Sequence, residues 1–184
     1  MKASPSRGDY LVFDIETQRS SQEVGGWHNL AQMGVSIAVA HDNGSGSTFV
    51  YRDYELDRLV EQLQQAQLIV GFNLLRFDYS VLQPYTSVPL QHLPTFDILD
   101  NLWQQLGVRL SLDNLAGATL NVPKSGTGLL ALEWFRNKEW DKLIAYCKND
   151  VFITRDLFEF GRTRGFVKFH DSYTNRVRKI PVDW

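Results

Sequence analysis

Residues 11–18 read LVFDIETQ, and the two acids inside this apolar run, Asp14 and Glu16, decide how the chain is to be read. A short run of apolar and β-branched residues bounded by polar sequence is the pattern of a buried strand. Successive side chains of a strand alternate between faces, so two carboxylates two positions apart point the same way. Held that close, like charges repel, and one would take up a proton unless something relieves the pair. Either the strand end is bathed in water or a cation sits between Asp14 and Glu16.

Working outward, TQRSSQEVGGWHNLAQ after this strand reads as a loop with a short helical turn, and GVSIAVA as a second strand. HDNGSGS is a turn and TFVYR a third strand, which closes a β-hairpin. DYELDRLVEQLQQA places Leu56, Leu59, Val60 and Leu63 on one helical stripe, with Asp53 as the expected N-cap. QLIVGF is a further short strand, NLLRFDYSVLQPY a helix stopping at Pro84, and LPTFDI a last core strand leading into a helix around LDNLWQQLG. Ser111 is placed to cap SLDNLAGATL, and GLLALEWFR forms another short helix. EWDKLIAYCKNDVFITRDLFEFGRTRG is the strongest helical pattern, closed by Gly161 or Gly165. The tail, about residues 165–184, predicts a hairpin bearing Lys168, Arg176, Arg178 and Lys179. Three antiparallel strands followed by strand–helix alternation give an α/β class: a mixed sheet flanked by helices.

At 184 residues, with 43% hydrophobic and 22% charged side chains, the chain reads as one globular domain over residues 1–184. It holds no apolar run of the roughly 20 residues that span a membrane. MKASPSRGDY lacks the apolar stretch of a signal peptide, and Cys147 is the single cysteine, so a reducing cytoplasm is expected. Net charge is −2, yet residues 1–135 hold 8 Lys+Arg against 14 Asp+Glu, and residues 136–184 hold 11 against 7. An acidic region and a basic one suit cations in one place and phosphates nearby, although an unevenly charged solvated surface reads equally well.

If the first strand needs a cation, other acids should converge on it. Asp78 lies among apolar residues just after a predicted strand, and Asp150 interrupts the apolar stripe of the long helix. Tyr146 precedes Asp150 by one helical turn, so hydroxyl and carboxylate project from the same face. Taken singly, Asp78 reads equally as a partner of Arg76, and Asp150 as a solvated neighbour of Lys148 or Arg155.

The three segments Asp14-Ile15-Glu16-Thr17, Asn73 to Asp78, and Tyr146 to Asp150, in that order, resemble the motifs of the DEDD superfamily of 3′→5′ exonucleases, in its tyrosine subtype. GGWHNLAQMGVSIAV, VGFN and the closing PVDW are similar to its bacterial helicase-associated branch. That resemblance implies a ribonuclease-H-like fold, two divalent cations (Mg²⁺ or Mn²⁺), single-stranded DNA or RNA 3′ ends as substrate, and a DEAD/DEAH-type helicase as partner. It implies metal ligation by Asp14, Glu16, Asp78 and Asp150, with Asp14 bridging, and a water-orienting role for Tyr146. It further implies substrate contacts from Thr17 and Gln18, and from Asn73 and Leu74. Trp27 and His28, in the long loop before the second strand, are further candidate substrate contacts, and Trp27 would either stack on an unpaired base or pack the loop down. The chain offers no Cys/His cluster for zinc, and carboxylate oxygens suit Mg²⁺ or Mn²⁺.

The expected activity is release of nucleoside monophosphates from single-stranded 3′ ends, with DNA favoured over RNA. Two other classes fit the same residues: an endonuclease cutting internally, and a non-catalytic nucleic-acid-binding or helicase-docking domain.

Overall fold

The computed structural model describes residues 9–122 and 128–184. The reading of residues 1–8 as free of a signal peptide therefore lies outside the described residues. Five strands form one sheet: β1 (Leu11–Thr17), β2 (Val35–Asp42), β3 (Ser47–Arg52), β4 (Ile69–Gly71) and β5 (Thr95–Asp97), in the order β3-β2-β1-β4-β5. β1 pairs antiparallel with β2, and β2 with β3, whereas β4 runs parallel to both β1 and β5. This is the mixed sheet that the strand pattern predicts. Its parallel part brings the carboxyl ends of β1, β4 and β5 to one edge, where open α/β sheets bind ligands.

Alternation along β1 divides the core in two. Leu11, Phe13 and Ile15 pack on one side with Leu56, Leu59 and Leu63 of α1 (Leu56–Gln65). On this side, too, lies the segment carrying α2 (Tyr79–Leu82), through Tyr79 and Leu82. Tyr10 and Val12 pack on the other side with residues of α3 (Ile98–Leu106), α4 (Leu112–Leu120), α5 (Gly128–Arg136) and α6 (Trp140–Arg164). The tail hairpin of β6 (Phe166–Asp171) and β7 (Arg176–Pro181) lies against α4, where the Thr119 hydroxyl meets the Lys168 backbone at 2.8 Å. Among the described residues no helix is long and apolar enough to cross a membrane.

Two local expectations change, and one left open is decided. Asp53 does not cap α1: Asp53–Glu55 form a 3₁₀ turn, and the Glu55 carboxylate accepts the Arg52 N–H at 3.2 Å. The stretch from Leu74 is not one helix but a wide π-type turn, Leu74–Asp78, followed by α2 and a 3₁₀ turn at Gln83–Tyr85. Gly165, in the left-handed conformation at φ 70°, closes α6, while Gly161 lies inside it. Gly161 is there for space, because a Cβ built on it would overlap the Trp184 indole. The Trp184 Nε1–H donates to the Phe158 carbonyl at 3.0 Å, and its ring meets Phe96.

Gly161→Ala should therefore displace Trp184 and cost about 1–3 kcal/mol, the usual range for overpacking. Weaker resistance to urea with a red-shifted tryptophan emission is the expected result, and wild-type stability with unchanged emission would contradict this packing.

Candidate active site

Asp14 and Glu16 share the face of β1 that also bears Val12, so both look toward α6. Cys147, fully buried on α6, brings its sulfur within 3.5 Å of Asp14 Oδ2, and one ligand atom from each of Asp14, Glu16 and Cys147 lies within 4.8 Å of the others. The turn before α2 supplies Asp78, whose Oδ1 accepts the Ile15 backbone N–H at 3.2 Å. That bond ties the second acidic segment to the middle of the first.

The turn is held from below by a residue not anticipated from the pattern. Asp97, at the end of β5, accepts the N–H groups of Asn73 (2.8 Å) and Leu75 (3.0 Å) while capping α3 through Leu99 (3.0 Å) and Asp100 (3.2 Å). One buried carboxylate thus satisfies donors from two elements and fixes where the turn begins. Asn73 takes the left-handed φ of 70° that starts it, a conformation asparagine tolerates better than most residues. Leu74 then lies directly over Gly71, where any side chain would collide with it.

On α6, the Tyr146 hydroxyl donates to the Asp150 carboxylate one turn on. The Trp134 ring of α5 meets Tyr146 edge-on, with centroids 5.8 Å apart. Asp150 acts electrostatically on Asp14 and on Glu16, so the helix completes a four-acid cluster.

Among the described residues, Asp14, Glu16 and Asp78 form no ion pair with lysine or arginine; Arg155 engages Asp156 instead. Desolvation, and then the charges of Asp78, Glu16 and Asp150, hold the Asp14 carboxyl well above the ordinary carboxylate range. Glu16 rises for the same leading reason, aided by Asp150 and Asp78. Burial pushes Asp78 up from 3.8 to about 8, despite the Ile15 N–H that favours its charged form. Burial and the neighbouring acids also raise Tyr146 and Cys147, so both stay protonated at neutral pH. Such a set suits a hard divalent cation: oxygen donors in excess, their mutual repulsion uncompensated by any basic side chain paired to Asp14, Glu16 or Asp78.

The residues expected to meet substrate are placed unevenly. Trp27 is 66% exposed and its ring lies 6.2 Å from that of Phe77, the neighbour of Asp78. His28 is exposed on the same 3₁₀ turn, Trp27–Gln32. Asn73 borders the site and accepts a hydrogen bond from Arg109. Thr17 is buried and donates to the Arg19 carbonyl at 3.0 Å, while Gln18 donates to the Val35 carbonyl at 2.9 Å, so both secure the base of the loop. Leu74 is fully buried in the core and offers no side-chain surface to a ligand. Three residues that shape the cluster escape a reading of the sequence: Asp97, Cys147 and Trp134. Asp97, an acid ending a strand in LPTFDI beside the other carboxyl strand ends, carries the one usable signal.

For a carboxyl whose folded pKa is raised, the proton is bound more tightly in the folded chain, so stability is greatest at low pH and is lost as pH climbs through the folded value. With EDTA present, the melting temperature should fall between about pH 4 and about pH 8, the window set by Asp78, and Asp78→Asn should flatten that slope. Saturating Mn²⁺ should remove it as well; a pH-independent melt in EDTA would count against the cluster. Asp97→Ala should cost about 2–4 kcal/mol in urea unfolding, because it removes a helix cap and leaves further buried N–H groups unpaired.

Residues 11–160 match the RNase_H_2 family of the RNase_H superfamily. No curated protein matches the chain. Among solved structures, it is similar to the family B DNA polymerase of the hyperthermophilic archaeon Pyrobaculum calidifontis, with a TM-score of 0.65 and 18% identity over 88% of this chain. The chain corresponds to 25% of that polymerase, and the likeness is one of fold. With a mixed five-stranded sheet and a family match running from β1 into α6, the chain belongs to the RNase_H_2 family and has a ribonuclease-H-like nuclease fold.

Proposed function

We propose that this chain is a divalent-metal-dependent 3′→5′ exonuclease that removes nucleoside monophosphates from single-stranded ends, DNA in preference to RNA. The observation that carries the reading is the convergence of Asp14, Glu16, Asp78 and Asp150 with no basic side chain paired to the first three among the described residues. Membership of a nuclease superfamily supports it. The tyrosine-subtype motifs and the DEAD/DEAH-type helicase partner rest on the sequence resemblance alone.

Asp14, Glu16, Asp78 and Asp150 would hold two divalent cations, Mg²⁺ or Mn²⁺. When bound, such ions neutralise the charge developing on a phosphodiester and lower the pKa of water. The side chains set the geometry of the reaction. Tyr146 keeps its proton, because burial and three nearby acids disfavour the phenolate. With its one O–H given to Asp150, it would orient the attacking water by accepting a hydrogen bond from it, not act as a base. Trp134 limits the rotation of its ring. Water oxygen bonds to phosphorus, the bond to the 3′-oxygen breaks, and the shortened strand leaves with a 3′-hydroxyl while the released nucleotide carries the 5′-phosphate. The Asn73–Asp78 turn, fixed by Asp97 and by the Ile15 bond, holds Asp78 in register with Asp14.

A 5′-labelled single-stranded DNA oligonucleotide and its RNA counterpart test this directly. In Mn²⁺ or Mg²⁺ the expected product is a ladder shrinking from the 3′ end, abolished by EDTA and by Asp14→Ala. Tyr146→Phe should cut the rate by about 10²-fold, because the attacking water loses the hydroxyl that orients it. Internal fragments would favour an endonuclease, and an unshortened strand would favour a domain that only binds.

A further inference from the structure

The turn that ends in Asp78 also walls a cleft of 280 Å³ lined by Trp27, Leu30, Asn73, Arg76, Phe77 and Arg109. Its chemistry is opposite to that of the cluster. Arg76 and Arg109 are exposed, and among the described residues neither forms an ion pair. Only 8 basic residues occur in residues 1–135, against 14 acids, so two unneutralised guanidinium groups at one cleft are not explained by general surface charge. Arg109 donates to the Asn73 side-chain carbonyl, which holds its guanidinium at the rim.

The aromatic wall is equally specific. Trp27 stands out to solvent although it touches Phe77. Its turn is launched by Gly25 and Gly26 at φ 86° and 122° and anchored by buried Val24. Behind it, Glu23 accepts two 2.7 Å hydrogen bonds from Arg136. The loop is therefore tied down on its far side while the indole stays uncovered. Phe77 both walls the cleft and precedes Asp78, and its N–H donates to the Asn73 carbonyl at 2.9 Å. One turn thus serves both the cleft and the acids.

We propose that this cleft binds the single strand on the 5′ side of the bond to be cut. Arg76 and Arg109 hold a backbone phosphate by charge-assisted hydrogen bonds, and Trp27 presents its free face to a base. The ligand class is a single-stranded nucleic acid longer than the nucleotide released; a duplex has no unstacked base to offer. This inference deepens the exonuclease reading and rests on it for the direction of the strand, but its test does not depend on cleavage.

The test is binding of a 5′-fluorescein oligothymidylate, and of the matching oligouridylate, to the full chain in EDTA, followed by anisotropy across a salt series. The expected result is that the double variant Arg76→Gln/Arg109→Gln binds about tenfold more weakly. Its log–log salt slope should be shallower by about 0.7 for each phosphate that the variant no longer neutralises. Arg76→Lys/Arg109→Lys should restore the slope, which a merely misfolded cleft would not do. Trp27→Ala should weaken binding about tenfold and leave the salt slope as in the wild type, as expected for a stacking interaction. Wild-type affinity and slope in the glutamine variant, or failure of the lysine pair to restore the slope, would overturn the proposal. A wild-type chain that binds as expected yet never shortens a strand in Mn²⁺ would defeat the exonuclease reading and leave the cleft standing as a single-strand site.

Discussion

Four carboxylates gathered with no basic ion pair to Asp14, Glu16 or Asp78 form the constraint around which the rest of this structure is arranged. Desolvation alone would drive such groups toward their neutral forms, and each charged neighbour adds to that pressure. The fold does not relieve it with lysine or arginine at Asp14, Glu16 or Asp78 among the described residues. Among the described residues the compensation is weak: the Ile15 N–H to Asp78, the Cys147 thiol to Asp14 and the Tyr146 hydroxyl to Asp150. Stability is conceded at the place where a divalent cation can be accommodated, which is the usual relation between strain and function in a site of this kind.

Holding those acids in place takes three separate elements. β1 supplies two carboxylates through its period of two, α6 supplies Tyr146 and Asp150 through its period of 3.6, and the irregular turn before α2 supplies Asp78. The first two are rigid by construction. The turn is not, and so it is braced: Asp97 accepts N–H groups at its start, Ile15 donates to its end, and Leu74 is pressed onto Gly71. Asp97 therefore works as a positioning residue even though it lies outside the cluster it organises. The same bracing fixes Phe77, which links the acidic cluster to the basic and aromatic cleft. Opposite charges thus lie on the two sides of one turn, the arrangement on which the proposed strand contacts rest.

Particular residues show where sequence and structure agree and where they part. Leu56, Leu59, Val60 and Leu63 show a helical stripe and are all buried, since an amphipathic helix over a sheet needs only its own periodicity to be recognised. Ser111 caps α4 as its position suggests, with its hydroxyl accepting the Asn114 N–H at 3.2 Å. Asp53 looks like a cap of the same kind, yet a 3₁₀ turn intervenes and the side chain lies near Gln18 instead. Leu74 reads as a substrate contact opening a second motif and is wholly buried, because the wide turn rotates it onto the sheet.

By itself, the sequence determined the strand that carries Asp14 and Glu16, the α/β class, and the spacing that sets Tyr146 one turn from Asp150. These are consequences of local periodicity, in which neighbours along the chain decide which way a side chain points. Only the tertiary structure decided that Asp97 reaches across to Asn73 and Leu75, that Cys147 faces Asp14 from a helix 133 residues away, and that Trp27, Arg76 and Arg109 border one cleft. Those relations depend on how separate elements pack against one sheet edge. Contacts between residues so far apart along the chain leave no periodic trace within it.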